Sequence, residues 1–160
     1  MRDPGCRRLR GDRRFSRSLV AVLALGTGCG GDRAGTARLE PGAQAPPGAT
    51  LVTAELLARG EAVYEESCAE CHGPGGRGDG PSASQLPTRP RDQTQRHYMD
   101  GLSDREIAET VVYGGGIRGY PSMPASPHLS GEDLVAVVAW VRGLSRDRVD
   151  YVEIRPEEAI

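Results

Sequence analysis

Apolar residues recur at helical spacing in three segments of the chain. The first segment begins at Thr53 or Ala54 and continues to Cys68, with apolar residues at intervals of three and four. The second begins with the capping-box sequence Ser103-Asp104-Arg105-Glu106 and stops at a run of three glycines, 114–116. The third begins at Ser130, and its apolar side chains share one helix face at positions 134, 137, 138, 141 and 144. The pattern predicts three main helices.

The connections between these helices are long and rich in Gly and Pro. Residues 73–101 lack any periodicity, and an irregular segment of that length in a compact domain is usually functional or wrapped around something. No strand pattern is persuasive. For the end of the chain we favour a C-terminal tail on the surface over a short edge strand of Tyr151, Val152 and Ile154. The expected fold class is all-α.

The N-terminal region has the parts of a secretory signal. Seven arginines precede residue 18, the apolar run Leu19–Leu25 follows, and small residues lead to Cys29. The apolar run is too short to span a bilayer. Cys29 resembles the lipidated cysteine of a bacterial lipoprotein, and ordinary cleavage nearby is the alternative. From there to about residue 50, Gly, Ala and Pro predominate, which is typical of a flexible tether.

Length and composition then divide the 160 residues into four parts. We predict a signal peptide over 1–28, a tether over 29–50, one small domain over 51–146 and a C-terminal tail over 147–160. Aromatic residues make up only 4% of the chain, so the domain is short of residues that fill a core. A bound cofactor could supply that apolar volume.

Charge narrows the choice of partners. All 20 basic residues are arginine, and the net charge is −2. Residues 1–28 carry seven Arg and two Asp, which leaves −7 for the exported part. This balance argues against a nucleic-acid binder and favours a protein partner with a basic surface.

One motif carries the chemistry. Cys68-Ala69-Glu70-Cys71-His72 is C-x-x-C-H, the attachment site of a c-type haem. Two thiols three residues apart at a helix end can form thioethers with the two vinyl groups of one porphyrin, and His72 can then be the proximal ligand of the iron. A dithiol redox pair would need a βαβ pattern, which is absent. A zinc site would need four ligands, and the spacing of His97 and His128 is not that of a zinc finger.

Around this motif, residues 51–145 resemble the small class I c-type cytochromes. Gly60 and Tyr64 occupy the places of a glycine and an aromatic residue in the family's first helix. Val137 and Trp140 look like the apolar and aromatic positions of the family's last helix, which cross that glycine. A glycine lets a second helix approach closely and lay a ring beside it. The resemblance implies a small cytochrome c fold of three main helices with long loops wrapped around one covalently bound haem c.

The resemblance also suggests the second axial ligand. Met123 lies in Tyr120-Pro121-Ser122-Met123-Pro124, the Pro-flanked setting in which the family carries its methionine. Thioether ligation by Met123 would favour Fe(II) and raise the reduction potential. Three other residues could serve instead: Met99, His97 and His128. For Met99 and His97 we expect surface or haem-edge packing, and for His128 a place near solvent.

Two further contacts to the haem site can be predicted, the first of them from the family pattern. A proline carbonyl after C-x-x-C-H accepts the hydrogen bond from Nδ1 of the proximal histidine, and Pro81 is the best match, with Pro87 and Pro90 as alternatives. Arg89 and Arg91 could pair with haem propionates, since guanidinium groups suit carboxylates. They could equally be solvated loop charges.

Together these features predict an electron-transfer protein and not an enzyme. Both axial positions of the iron have candidate ligands, and no acid–base pair lies nearby in the sequence. The expected protein is periplasmic, tethered to a membrane by lipid, and exchanges electrons with redox partner proteins, either alone or as the electron-entry subunit of a larger oxidoreductase. The alternative is a haem enzyme or a gas or redox sensor with an open distal site.

Overall fold

The computed structural model describes residues 44–158. The predicted signal peptide, Cys29 and the tether up to residue 43 lie outside the described residues. In chain order the elements are β1 (Thr50–Leu51), α1 (Ala54–Ser67), α2 (Ala69–His72), α3 (Arg96–Met99), α4 (Asp104–Tyr113), α5 (Gly131–Ser145) and β2 (Tyr151–Val152). Single 3₁₀ turns lie at Ala83–Gln85 and Gly115–Arg118. Within residues 44–158, no helix has both the length and the apolar character needed to cross a membrane.

Each of the three main helices begins at a capping residue, and two of these caps, Ser103 and Ser130, were predicted. Thr53 accepts the amide of Leu56 at the start of α1, and Ser130 caps α5. At α4 the capping box is reciprocal: Ser103 Oγ accepts from the backbone N–H of Glu106 at 3.2 Å, and the Glu106 carboxylate accepts from the N–H of Ser103 at 2.8 Å. These bonds satisfy amides that have no partner inside a helix. The predicted all-α class is confirmed.

Helices α1 and α5 cross at Gly60. A Cβ atom on Gly60 would lie 2.1 Å from the carbonyl oxygen of Ala136 and 2.9 Å from Cβ of Trp140. The expected close approach beside Trp140 is therefore present, although Ala136 makes the nearest contact and Val137 faces the cleft described below. The centre of α5 is almost wholly buried and forms the middle of the core.

Gly60→Ala should destabilise the protein by about 1–3 kcal/mol, because the added methyl group forces α1 away from α5. Alanine favours a helix over glycine by about 1 kcal/mol, so the sign of the effect shows whether the clash outweighs the helix propensity. Urea unfolding measures it. Gly143→Ala is the matched control, since a Cβ there meets nothing within 4 Å and should stabilise α5. Equal shifts for the two variants would contradict the close crossing.

The C-terminal segment is not a surface tail, and this expectation was wrong. Strand β2 pairs antiparallel with β1, with Thr50 opposite Val152. The Val152 side chain is fully buried, and Val149 and Ile154 are also in the core. Thr50 Oγ1 donates to the carbonyl of Ile154 at 2.6 Å. The compact unit thus continues past residue 146 and begins within the predicted tether. This pairing was not predicted, because two strands of two residues are too short to show a period in the sequence.

A buried ion pair joins this segment to the helices. The Arg142 side chain, 3% exposed, pairs with Asp104 at the start of α4 and also donates to the carbonyls of Met99 and Leu102. The second carboxylate oxygen of Asp104 accepts the amide of Glu153 at 2.6 Å. Four segments of the chain therefore meet at one guanidinium and one carboxylate. The apolar pattern of α5 gave no sign of this network.

Candidate functional site

A cleft runs between the C-x-x-C-H segment, α4, α5 and the loops that follow α2 and α4. Its empty volume is about 1210 Å³, including the part open to solvent. The surface that faces the cleft is mostly apolar, and six aliphatic side chains contribute to it: Leu86, Leu102, Ile107, Val111, Val137 and Val141. Apolar clefts with a few polar groups are the usual form of cofactor sites.

The two cysteines of the motif line this cleft, and no disulfide joins them. Cys71 lies in the single turn of α2, and Cys68 is the residue just before it, so the spacing of three residues places both on one side of the turn. Burial, with a smaller contribution from Cys71, raises the pKa of Cys68 to about 11. Reactive dithiol pairs have lowered thiol pKa values, so the environment of Cys68 argues against a redox dithiol.

His72 is the third motif residue in the cleft, and it is buried. Its Nδ1 lies 3.1 Å from the carbonyl oxygen of Arg91. A carbonyl can only accept, so Nδ1 carries the proton and Nε2 keeps the lone pair that a metal needs. Burial lowers the pKa of His72, while the hydrogen bond to Arg91 opposes that shift. The ring is thus held neutral and oriented.

The carbonyl that meets His72 does not belong to Pro81, so this expectation is corrected. Pro81 is exposed, and the residues on either side of it bond to the backbone of Cys71 and Glu70. The loop through Pro90 and Arg91 passes His72 instead. It packs against Gly78, where a Cβ would lie 2.2 Å from the carbonyl oxygen of Pro90. The acceptor is the residue after a proline, and the order of prolines in the sequence could not show which loop comes close.

Of the four candidates for a second axial ligand, two lie at the cleft. Met123 and Met99 both line it, whereas His97 and His128 are exposed and do not. Met99 is 3% exposed, so it is a buried wall residue and not a surface one. Met123 lies in a tight turn after α4, in which its carbonyl accepts the amide of Gly115 at 3.1 Å. Burial in the cleft thus leaves two methionines as candidates.

Both predicted arginines line the cleft, in different settings. Arg89 Nε donates to the carbonyl of Gly78 at 3.2 Å. The Arg91 guanidinium lies over the Tyr98 ring, 4.2 Å from its centroid, and donates to the Tyr120 hydroxyl at 2.6 Å. Arg91 Nε is buried without a hydrogen-bond partner among the described residues. A buried N–H of this kind suits a carboxylate of a bound group, so the cleft fits a porphyrin with propionates.

Comparison with known families agrees with this geometry. Residues 55–141 match the family described as cytochrome c oxidase, cbb3-type, subunit III. The match covers more than half of the chain, and the chain therefore belongs to this family of class I c-type cytochromes. Its cofactor is covalently bound haem c, its fold is the small cytochrome c fold, and it transfers electrons to or from redox partner proteins. No curated protein matches the chain.

Proposed function

We propose that the protein is an extracytoplasmic carrier of single electrons, with His72 and Met123 as the axial ligands of its haem. Cys68 and Cys71 form the thioethers. The observation that carries the proposal is that these four side chains line one apolar cleft, in which His72 already has its Nδ1 proton engaged. When bound, the haem supplies a one-electron iron couple. The chain attaches it, orients its ligands and shields it from water.

The lining of the cleft supports electron transfer over catalysis. Among its described lining residues there is no Asp or Glu, so the cleft offers no carboxylate as an acid or base. Met123 is a neutral, soft donor that favours the reduced iron, and apolar walls around the site act in the same direction. A carrier with both axial positions filled needs little rearrangement when the charge changes.

Replacement of Met123 tests the ligand assignment. Oxidised holoprotein should show the far-red sulfur-to-iron absorption band, and Met123→Ala should abolish it. Met99→Ala is the matched control, because Met99 lines the same cleft and its replacement should leave the band in place. Absorption spectra of the three proteins decide the point.

The opposite result would identify Met99 as the ligand. A wild-type protein with a high-spin spectrum that binds added ligands readily would instead support the alternative, a haem enzyme or sensor with an open distal site.

The location and anchor of the protein extend the same proposal. Members of the family are generally extracytoplasmic, in agreement with the signal-like N-terminus. We place the protein in the periplasm, held at a membrane by lipid on Cys29, either on its own or as the electron-entry subunit of a larger oxidoreductase. Mass spectrometry of the mature N-terminus should find a modified Cys29. An unmodified residue at that end would exclude the anchor.

The partner surface follows from charge. Exposed carboxylates on α1 lead up to the haem motif and make no ion pair among residues 44–158: Glu61, Glu65 and Glu66. A partner with a basic surface would be steered to this side of the site. The rate of electron transfer to such a partner should then fall as salt is added.

A further inference from the structure

We propose that Arg91 is a positioning residue that connects the two axial sides of the haem site and keeps Met123 on the iron. The inference rests on the proposed ligation by Met123. It assigns to one side chain the task of holding the distal turn, while the backbone of the same residue holds the proximal histidine.

The proximal connection is made by the main chain. The carbonyl oxygen of Arg91 lies 3.1 Å from Nδ1 of His72 and fixes the orientation of that ring. Because this contact uses no side-chain atom, replacing the Arg91 side chain leaves its acceptor in place.

The distal connection is made by the guanidinium. Its Nη2 donates to the Tyr120 hydroxyl at 2.6 Å, and its Cζ lies 5.3 Å from the centroid of the Tyr120 ring and 4.2 Å from that of Tyr98. Hydrogen bonds with a charged donor are stronger than neutral ones, and contact with aromatic faces adds to them. The side chain is also half-buried, which limits competition by water.

Tyr120 passes this restraint to Met123 through the backbone. The amide of Met123 donates to the carbonyl of Tyr120 at 3.1 Å, and the amide of Tyr120 donates to the carbonyl of Gly115 at 2.8 Å. The carbonyl of Met123 closes the turn by accepting the amide of Gly115 at 3.1 Å. Tyr120 and Met123 thus belong to one hydrogen-bonded turn, so a restraint on the tyrosine side chain restrains the methionine.

Loss of this restraint should change the fraction of molecules in which Met123 has moved away from the iron. An added ligand such as imidazole can reach the iron only in molecules in which Met123 has moved away. If the contact between Arg91 and Tyr120 holds the turn closed, its loss raises the fraction of open molecules, and the apparent affinity for imidazole rises by the same factor. For one hydrogen bond with a charged donor we expect a rise of about tenfold.

The test measures imidazole affinity of oxidised holoprotein by loss of the sulfur-to-iron band. Tyr120→Phe removes the hydroxyl but keeps the ring and leaves Arg91 free to contact the haem. Arg91→Gln removes the guanidinium. Tyr113→Phe is the matched control, because Tyr113 is 55% exposed and makes no side-chain hydrogen bond within the described part of the chain. We expect about tenfold tighter imidazole binding in the first two variants and no change in the control.

Each outcome has a separate meaning. If wild-type protein shows no sulfur-to-iron band, the proposed ligation itself fails. If the band is present but only Arg91→Gln binds imidazole more tightly, Arg91 acts on the haem directly and the connection through Tyr120 is excluded. Unchanged affinity in both variants, a rise in Tyr120→Phe alone, or an equal rise in Tyr113→Phe would also overturn the inference.

Discussion

Replacing both Cys68 and Cys71 by alanine should leave a chain that does not fold cooperatively. The cleft at these cysteines lies between α4, α5 and the loops, and the aliphatic side chains in its walls would face water if nothing filled it. The single phenylalanine of the chain is Phe15, in the predicted signal peptide, so the domain has no Phe to fill the gap. Loss of that buried area would remove most of the roughly 5–15 kcal/mol that stabilises a small domain.

Circular dichroism during heating of the haem-free double variant measures this effect. The single variant Cys71→Ala is the control, because it keeps one thioether and His72 and should still fold around haem. A sharp unfolding transition in the haem-free double variant would show that the protein core is sufficient without the cofactor.

Asp104→Ala should destabilise the haem-loaded protein by about 3–5 kcal/mol. It leaves the guanidinium of Arg142, in a residue that is 2% exposed, without its counter-ion. It also removes the acceptor for the amide of Glu153, so β2 loses its link to α4. Removing one partner of a buried pair is costly because the remaining charge has been taken out of water.

Asp100→Ala is the matched control for this prediction. Asp100 pairs with Arg146, the residue just after the end of α5, but the Asp100 side chain is 42% exposed. Ion pairs in water contribute little, so its removal should hardly change the midpoint of urea unfolding. Equal effects of the two variants would mean that the Asp104 pair is not an important part of the core.

Features that depend on contacts between residues close in the sequence were predictable from the residues alone, and those that depend on distant contacts were not. The helix starts at Ser103 and Ser130 were predictable, because a cap bonds to an amide three residues away. The crossing at Gly60 was predictable from the resemblance to a family. The pairing of β1 with β2 was not, since its partners lie about a hundred residues apart and neither strand is long enough to alternate.

The sequence by itself determined the chemistry, because C-x-x-C-H places two thiols and an imidazole within five consecutive residues, where the spacing alone controls what they can reach. Only the tertiary structure decided which carbonyl meets His72, which two of four candidate ligands lie at the cleft, and how Arg142 and Asp104 join the end of the chain to the core. The hydrogen bonds of His72, Arg142 and Asp104 connect residues that are 19 to 49 positions apart in the chain. No local pattern encodes them, since they depend on how the loops fold back across the helices.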